Sequence, residues 1–354
     1  MKEINDLIGK KSEWLKGQGP HSDIAISTRI RIARNIKGHV YFYSADDEAR
    51  RASLDRVTEA MRKSRYFNKA LFISIRDLEE VDRYFLIERH LMSREHLEDA
   101  EHKGLVVGND EAVSAMINEE DHIRLQVMRS GSDLTDAWKL IDEIDTELSS
   151  FLKYDYSTRF GYLTSCPTNT GTGMRASVML HLAALVMTRQ IEKVFDAISK
   201  LGLTMRGFYG EGTAAIGDFF QISNQQTLGY SESDIIDNLQ RVIAKIIKKE
   251  KETREQLIEN QKEVVTDRVH RSYGTLKSAR IITSAEAVKL LSAVRLGADL
   301  GLLDGIVPFD MNELLLSMQP AHLQKMEGKL LQSQDRDIRR ADLIRDKLGV
   351  DSGR

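Results

Sequence analysis

The side chains best suited to chemistry in this sequence are arginines that recur along its first two thirds, each close to a glycine or a carboxylate. Arg29 and Arg31 alternate with isoleucines, which predicts a strand with two guanidinium groups about 7 Å apart on one face. Arginines that face one region repel each other unless a polyanion such as a triphosphate lies among them. The alternative is a set of unrelated surface ion pairs. The arginines concerned are Arg29, Arg31, Arg124, Arg175 and Arg206.

Carboxylates accompany two of these arginines. They are Glu119, Glu120 and Asp121 just before Arg124, and Glu211 just after Arg206. A carboxylate among arginines is commonly a counter-charge, and that interpretation stays open. The functional interpretation is that two of the carboxylates hold a cationic substrate in line with a phosphate.

Cys166 is the only cysteine in the chain, so an intrachain disulfide and a cysteine-based zinc cluster are both excluded. A lone cysteine is commonly a small buried hydrophobic residue. Here Pro167 and a glycine turn follow it, and we expect a helix after the turn. A thiol near a helix N-terminus and near arginines would have a lowered pKa, and it would exist partly as the thiolate. Such a thiolate could act as a nucleophile or make electrostatic contact with a cation.

Several function classes are disfavoured by what the sequence lacks. It has no GxxxxGK[ST] motif, and no GxGxxG followed by the other protein-kinase motifs, so a nucleotide would have to be held by arginines. The net charge of -3 gives no basic field for nucleic acid. No apolar run is long enough to span a membrane, and no secretory signal is recognisable. These features favour the cytoplasm.

Period-two alternation predicts strands in the first part of the chain. Ile30 and Ile32 fall on one face of 23–36 and the arginines fall on the other, while Arg124 lies opposite the apolar face of 122–131. The predicted strands are 23–36, 70–75, 112–117, 122–131 and 218–224. Residues 174–200 have the apolar content of one long helix or two shorter ones.

After residue 231 the pattern becomes helical. The charged run 248–256 is expected to be a solvated helix surface, and Thr283 with Glu286 is typical of a helix start. Short turns are expected at Gly297, Gly301, Gly305 and Pro308. The sequence therefore predicts a mixed α/β domain over about 1–250 and a helical domain over 251–354.

Five blocks resemble the phosphagen kinases, the family of creatine and arginine kinases. CPTNTGT (166–172) is similar to the family signature, and the other blocks follow in family order and spacing. They are STRIRIARN (27–35), LIERHL (86–91), NEEDHIR (118–124) and RGFYGE (206–211). The resemblance implies an α+β fold, with an antiparallel catalytic sheet flanked by helices and an all-helical carboxyl-terminal domain. It also implies ATP as a substrate, with Mg²⁺ held mainly by the nucleotide and by water.

The resemblance also assigns roles. Cys166, Glu120, Glu211, Arg175 and Arg206 would be catalytic, with the two glutamates orienting a guanidinium group and Cys166 beside it as thiolate. The ATP-binding residues would be Ser27, Thr28, Arg29, Ile30, Arg31, His90, Arg124, Arg175, Ala176, Ser177, Val178, Met179, Arg206, Gly207, Phe208, Tyr209, Gly210 and Glu211. No residue is expected to form a dedicated metal site. His90 would contact the adenine.

Two departures point to a branch of this family, the bacterial protein-arginine kinases. Only about 22 residues precede the first strand, where phosphagen kinases have a helical domain that helps to enclose a small guanidino substrate. A helical extension follows the catalytic part instead. It contains RDIRRA (336–341), which resembles a phosphoarginine-binding motif in which Arg336, Asp337, Arg340 and Ala341 would form an activating pocket. By its residues alone this stretch is an ordinary charged helix.

The resemblance implies phosphorylation of exposed arginines on protein substrates, in bacterial stress response and protein quality control. Expected partners are a zinc-containing activator, a Clp unfoldase and protease, and a heat-shock repressor. A homodimer or higher oligomer is expected, without membrane or direct nucleic-acid binding. Two alternatives remain at this point: a kinase of free arginine that shares the catalytic residues, and a non-catalytic adaptor on the same fold.

Overall fold

The computed structural model describes residues 2–207 and 217–349. The strands are β1 Ala25–Arg34, β2 Leu71–Ser74, β3 Gly104–Val107, β4 Val113–Ile117, β5 Ile123–Ser130, β6 Tyr156–Ser157, β7 Gly161–Tyr162, β8 Met174–His181, β9 Leu203–Gly207 and β10 Phe219–Asn224. The α-helices are α1 Lys2–Asn5, α2 Asp47–Lys63, α3 Glu80–Glu88, α4 Leu134–Phe151, α5 Ala183–Met187, α6 Ile191–Lys200, α7 Glu232–Ser278, α8 Ser284–Asp299, α9 Pro308–Ser317, α10 Pro320–Glu327 and α11 Ser333–Lys347. Short 3₁₀ helices cover Glu13–Leu15, Phe42–Ser44, Arg65–Phe67 and Glu95–Leu97.

Eight of these strands form one sheet, in the order β2-β3-β4-β5-β1-β8-β10-β9, and every neighbouring pair is antiparallel. Strand β1 lies inside the sheet and pairs with β5 and β8 along most of its length. Because side chains alternate between the two faces of a strand, the register of these three strands decides which residues share a face.

One face of the sheet packs on helices and forms the main core. Ile30 and Ile32 of β1 are buried in it, at 0% and 1% exposure. Helix α4 lies against β1 and β5, and its apolar residues recur every three or four positions, which gives a continuous apolar stripe. Burying each large aliphatic side chain stabilises the fold by about 1.5–3 kcal/mol. The opposite face is thereby left for polar groups.

Strand β8 corrects the helix predicted over 174–200. Its eight residues pair with β1 on one side and β10 on the other, and helical structure begins only at Ala183. Met174, Ala176, Val178 and Leu180 are all fully buried at this central position. Methionine, alanine and leucine favour helices in isolation, but burial between two strands outweighs that preference.

The helical region packs against the sheet domain. Helix α7 runs through the boundary predicted between residues 250 and 251, and only Gln261 departs from helical dihedral angles (φ -143°, ψ 34°). The division at 250 therefore stays a prediction. The antiparallel sheet flanked by helices and the helical carboxyl-terminal region agree with the predicted architecture.

Two expectations for the helical region were wrong. The charged run 248–256 is not only a solvated surface, because Glu250 is fully buried and accepts hydrogen bonds from the backbone N–H groups of Ala184 and Leu185, both at 3.0 Å. Arg254 in turn donates to Glu250 at 2.9 Å. Gly297 lies within α8 and not in a turn. A Cβ at this position would come within 2.2 Å of Val269 on α7, so the glycine lets the two helices pack closely. These residues hold the helices close to each other and to the sheet.

Candidate functional site

Strand register brings the five candidate arginines to one face of the sheet. Arg31 pairs directly with Arg175 across β1 and β8, and Arg29 lies two residues from Arg31. Arg124 on β5 pairs with Ala33, which lies two residues after Arg31 on β1 and therefore points to the same face. Arg206 on β9 pairs with Gln221 on β10, which in turn pairs with Met179 on β8. The sheet therefore gathers side chains that lie up to 177 residues apart in the sequence (29 to 206).

These side chains line a cavity of about 1250 Å³ between the sheet and the carboxyl-terminal helices. One part is apolar and is lined by Trp14, Met128, Met179 and Leu315, which belong to one apolar cluster. The other part is cationic and leads to two carboxylates, Glu119 and Glu120. The change from apolar to cationic lining runs along β1. Ser27 lies beside Met179 and Arg29 beside Met128, whereas Arg31, further along the strand, lies beside Arg175.

The arginines repel each other in the cavity. Burial, together with the charges of Arg124 and Arg175, lowers the pKa of Arg29 to about 10. Burial and the charges of Arg29, Arg124 and Arg175 also lower the pKa of Arg31. Within the described residues the Arg31 side chain has no hydrogen bond or ion pair, and Arg29 Nε is buried without a partner. Such a cluster favours an anion with several oxygens.

Glu119 and Arg124 form the main ion pair of the site. Arg124 Nη1 lies 2.6 Å from Glu119 Oε1 and 2.7 Å from Oε2, and Ser93 also donates to this carboxylate. Burial alone would raise the pKa of Glu119, but Arg124 and Ser93 outweigh it and lower the pKa to about 2. Glu119 therefore stays ionised and fixes Arg124 in place.

Glu120, the next residue, has the opposite character. Its carboxylate is 3.8 Å from Arg124 and accepts a hydrogen bond of 2.8 Å from Asn169 Nδ2. Burial, with the neighbouring charges of Glu119 and Asp121, raises the pKa of Glu120. A partly exposed carboxylate that binds a proton more strongly than usual is suited to accept one from a cationic substrate.

The Cys166 loop is held beside Glu120 by buried polar groups. Asp121 Oδ1 accepts from Ser165 N at 2.7 Å and from Asn35 Nδ2 at 2.6 Å. Cys166 Sγ is half-buried and lies 2.9 Å from Thr168 Oγ1. Strand β8 and not a helix follows the loop, so the expected helix N-terminus near the thiol is absent, because residues 174–181 extend between β1 and β10.

His90 lies at the apolar part of the cavity. It has a left-handed backbone (φ 60°), and its carbonyl accepts a 2.7 Å hydrogen bond from Gln126. Burial, with the nearby charge of Arg29, lowers the pKa of His90 to about 3, so its ring is neutral near pH 7. Trp14 packs edge-on against this ring, with centroids 5.3 Å apart.

Not every predicted ATP-binding side chain faces the cavity. Ser27, Arg29, Arg31, His90, Arg124, Arg175, Ser177, Met179 and Arg206 line it. Ile30, Ala176 and Val178 lie in the core on the other face, and Thr28 is buried with its hydroxyl donating to Gly131 O at 2.8 Å. Gly207 ends β9, whereas Phe208, Tyr209, Gly210 and Glu211 lie outside the described residues.

The predicted phosphoarginine-binding residues do not share one pocket. Arg336 lines the cavity and donates to Leu331 O at 2.8 Å. Arg340 is 1% exposed, and it donates to Met318 O and Ile282 O, both at 2.9 Å, and to Asp337. Ala341 is buried in the apolar core. Arg340 thus ties α11 to the rest of the helical region.

Sequence reasoning missed several residues of the site. Asn169 stood in the signature without a role, and the orienting role of Asp121 depends on contacts with residues 86 and 44 positions away. Nothing in the sequence indicates that Trp14 lines the cavity, because an isolated tryptophan outside any motif resembles an ordinary core residue. The carboxyl-terminal wall of the cavity, which includes Leu315, depends on how the helices pack.

The residues of the cavity fit a nucleotide better than a protein-bound metal. Among the described residues, no group of three or more histidine, cysteine, aspartate or glutamate side chains could hold a metal ion. The clustered guanidinium groups fit phosphate oxygens. In the described part of the chain, no helix is both long and apolar enough to cross a membrane.

Comparisons with known proteins agree with this arrangement. A model of the ATP:guanido phosphotransferase C-terminal catalytic domain matches residues 53–253, and a model of the protein-arginine kinase McsB C-terminal domain matches residues 262–353. A protein-arginine kinase of Halothermothrix orenii is 46% identical over 98% of this chain and 99% of its own length. One of Brevibacillus brevis is 48% identical over 96% of both chains.

Solved structures show the same fold. A lombricine kinase has a TM-score of 0.60 and 26% identity, over 72% of this chain and 76% of its own. The duplicated taurocyamine kinase of Schistosoma mansoni has a TM-score of 0.60 and 28% identity, over 70% of this chain and 38% of its own. The predicted antiparallel fold with flanking helices is thereby confirmed.

Proposed function

Because the chain belongs to the protein-arginine kinase family, we propose that it transfers the γ-phosphoryl group of ATP to arginine side chains of proteins. The observation that carries this proposal is the arrangement on one sheet face, where half-buried arginines lead to Glu120 and the Cys166 loop. It provides a polyphosphate site and, directly beside it, a site for a cation.

In this proposal the arginines bind and neutralise the triphosphate. Arg29 lies towards the apolar part of the cavity, where the base would bind, and Arg31, Arg124 and Arg175 lie towards the carboxylates. Fixed positive charge around the transferred group stabilises the charge of the transition state, which is the main requirement of phosphoryl transfer. Mg²⁺, bound mainly by the phosphates, would supply further neutralisation.

Glu120 is the proposed proton acceptor. A guanidinium group has a pKa above about 12 and must lose a proton for its nitrogen to attack phosphorus. As the N–P bond forms and the bond from γ-phosphorus to the bridging oxygen breaks, Glu120 would take that proton and ADP would leave. Asn169 holds the Glu120 carboxylate at 2.8 Å for this step. Glu211 is proposed as a second carboxylate clamp.

Cys166 is proposed to lie against the acceptor guanidinium as a thiolate. Its loop is fixed by Asp121, which lies next to Glu120 in the sequence, so the thiol and the carboxylate are positioned by the same contacts. A thiolate and a carboxylate on two sides of the guanidinium would orient its nucleophilic nitrogen.

Further parts of the proposal depend on the family. The protein would mark substrates for a Clp protease, act with a zinc-containing activator on a heat-shock repressor, and form a dimer or larger assembly in the cytoplasm. Arg336, which faces the cavity, is the proposed contact for phosphoarginine, with Asp337, Arg340 and Ala341 shaping its helix.

The decisive experiment is incubation with ATP and either an unfolded protein or free arginine, followed by phosphoarginine detection by mass spectrometry without acid. We expect phosphoarginine on the protein and little turnover of free arginine. Rapid consumption of free arginine would instead support a phosphagen kinase, and no transfer to either acceptor would support an adaptor. The matched control is Glu120→Gln, which should bind nucleotide but transfer the phosphoryl group far more slowly.

A further inference from the structure

Large apolar side chains are exposed on two segments that adjoin the carboxylate end of the cavity. Val40 and Tyr43 lie on the segment after β1, and Tyr156 and Phe160 lie on the β6–β7 hairpin. Each of these four residues is 43–69% exposed, and together they are called the rim surface. Single exposed apolar residues are common, but a group of them beside a polar site is typical of a surface that binds another molecule.

The segment after β1 lies beside Glu120. Val40 O is 3.0 Å from Nε2 of His122, which is the second residue after Glu120. Tyr43 lines the cavity together with Glu120. Partial burial, followed by the negative charge of Glu120, raises the pKa of the Tyr43 hydroxyl, as expected for neighbouring groups. The Tyr43 ring therefore lies at the entrance to the proposed acceptor site.

The β6–β7 hairpin is fixed to the loop that positions the same carboxylate. Tyr162 N on β7 donates to Gly171 O at 2.8 Å, and Gly171 N donates to Tyr162 O at 3.2 Å. Gly171 follows Asn169 by two residues, and the Asn169 side chain donates to Glu120 at 2.8 Å. The exposed side chains of the hairpin are thus connected to the acceptor site through one short loop.

The two segments are also joined to each other. Tyr41 donates to Asp155 at 2.7 Å, and Lys37 N donates to Lys153 O at 2.8 Å. Side chains on a backbone held in this way lose less freedom when a partner covers them, so binding costs less entropy. The rim surface is therefore a prepared patch and not a set of unrelated side chains.

The acceptor determines what would cover this surface. The proposed acceptor arginine belongs to a polypeptide, and three residues of an extended chain span roughly 10 Å. When the guanidinium reaches Glu120, the residues on either side of that arginine must therefore pass over the rim surface. A folded protein buries most of its apolar side chains, whereas an unfolded segment presents them next to its arginines.

We propose that the rim surface binds apolar side chains that flank the acceptor arginine in an unfolded protein segment. The proposal rests on the acceptor site of the proposed function, and it adds a choice among segments. Glu120 recognises the charge of an arginine but not its neighbours. The rim surface would provide that second recognition, through burial of apolar area on Tyr43 and Phe160.

Two labelled peptides of equal length and net charge test this proposal, each with a single arginine. One has leucine and phenylalanine on both sides of the arginine, and the other has serine and glycine. Binding to the full chain with Mg·ADP is measured by fluorescence anisotropy. We expect the apolar peptide to bind about ten-fold more tightly, or about 1.4 kcal/mol. That difference corresponds to about 56 Å² of buried apolar surface. Equal affinities would overturn the proposal.

Variants locate the preference on the protein. Tyr43→Ser combined with Phe160→Ser should bring the two affinities within about two-fold, and Tyr43→Ser alone should remove part of the difference. Tyr43→Phe should retain it, because the ring and not the hydroxyl makes the contact. The matched control is Val264→Ser, which removes an exposed apolar side chain from α7 and should retain the full preference. A preference that survives the double substitution, or that Val264→Ser reduces equally, would refute the rim surface.

Two further readouts separate this proposal from others. Sedimentation of the double variant shows whether the surface joins copies of the chain: a lower mass with an unchanged peptide preference would overturn the proposal. Phosphoryl transfer from Mg·ATP is measured on the same two peptides. The expected binding preference without transfer to either peptide would refute the proposed function only, whereas transfer to both peptides with equal affinity would refute the rim surface only.

Discussion

Replacing Glu119 or Glu120 by glutamine should have opposite consequences, although the two residues are adjacent. Glu119 is 2% exposed, and its contacts with Arg124 and Ser93 lower its pKa from the usual 4.5 to about 2. At about 1.4 kcal/mol per pKa unit, its charge contributes about 3 kcal/mol to the free energy of unfolding. Glu119→Gln also leaves Arg124 among the other arginines of the site without its main partner.

The substitution Glu120→Gln should leave stability almost unchanged. This side chain is 25% exposed, accepts one hydrogen bond from Asn169, and lies 3.8 Å from Arg124. A glutamine oxygen can accept the same hydrogen bond, so the change in unfolding free energy should stay below about 1 kcal/mol. Turnover should fall by about 10²- to 10⁴-fold, because the proton acceptor is lost.

The assay combines urea unfolding at pH 7 with phosphoryl transfer to an unfolded protein, and Glu98→Gln, an exposed neighbour, serves as the matched control. The sign of the pH effect follows from the pKa of Glu119. Its folded-state pKa is depressed, so its stabilisation is present above about pH 4.5 and is lost as the pH falls towards 2. If Glu120→Gln kept near-normal turnover, or Glu119→Gln kept full stability, the assignment of roles would be wrong.

Three other substitutions test the site. Cys166→Ala should lower turnover by about 100-fold or more with unfolding unchanged, and near-normal turnover would remove the thiol from the mechanism. Arg31→Met should raise the thermal midpoint without nucleotide and weaken ATP binding, because it removes one of the mutually repelling guanidinium groups. A lowered midpoint would contradict the repulsion. Arg340→Ala should cost about 3–5 kcal/mol in urea unfolding and Arg336→Ala below about 1 kcal/mol, and equal losses would refute their separate roles.

The parts of the fold that depend on local pattern could be predicted from the sequence. Alternation placed Ile30 and Ile32 in the core and Arg29 on the other face, which the structure shows. Strand β8 was mistaken for a helix because its propensities are helical and its partners are distant in the sequence. Pairing across such distances is not encoded in any short window of residues.

The site itself was predictable only as far as the motifs extend. Glu120 and Cys166 stood in recognisable blocks, whereas the carboxylate that controls Arg124 proved to be Glu119, which no spacing distinguishes from its neighbour. That distinction depends on the exposure of the two side chains, which is 2% for Glu119 and 25% for Glu120, and on the ion pair between Glu119 and Arg124. The position of Trp14 depends on contacts with residues about 100 and 300 positions away, at Asp110 and Asn312.

The lowered pKa values of the arginines connect stability with function. Arg29 and Arg31 lie two residues apart on β1, strand pairing brings Arg175 beside Arg31, and burial prevents water from screening their charges. The ligand-free site is therefore electrostatically unfavourable, and the rest of the fold must offset it. A triphosphate that enters this site replaces repulsion with charge-assisted hydrogen bonds, so part of its affinity arises from strain that already exists. Because the sheet fixes the arginines in advance, little further reorganisation is needed when charge shifts during phosphoryl transfer.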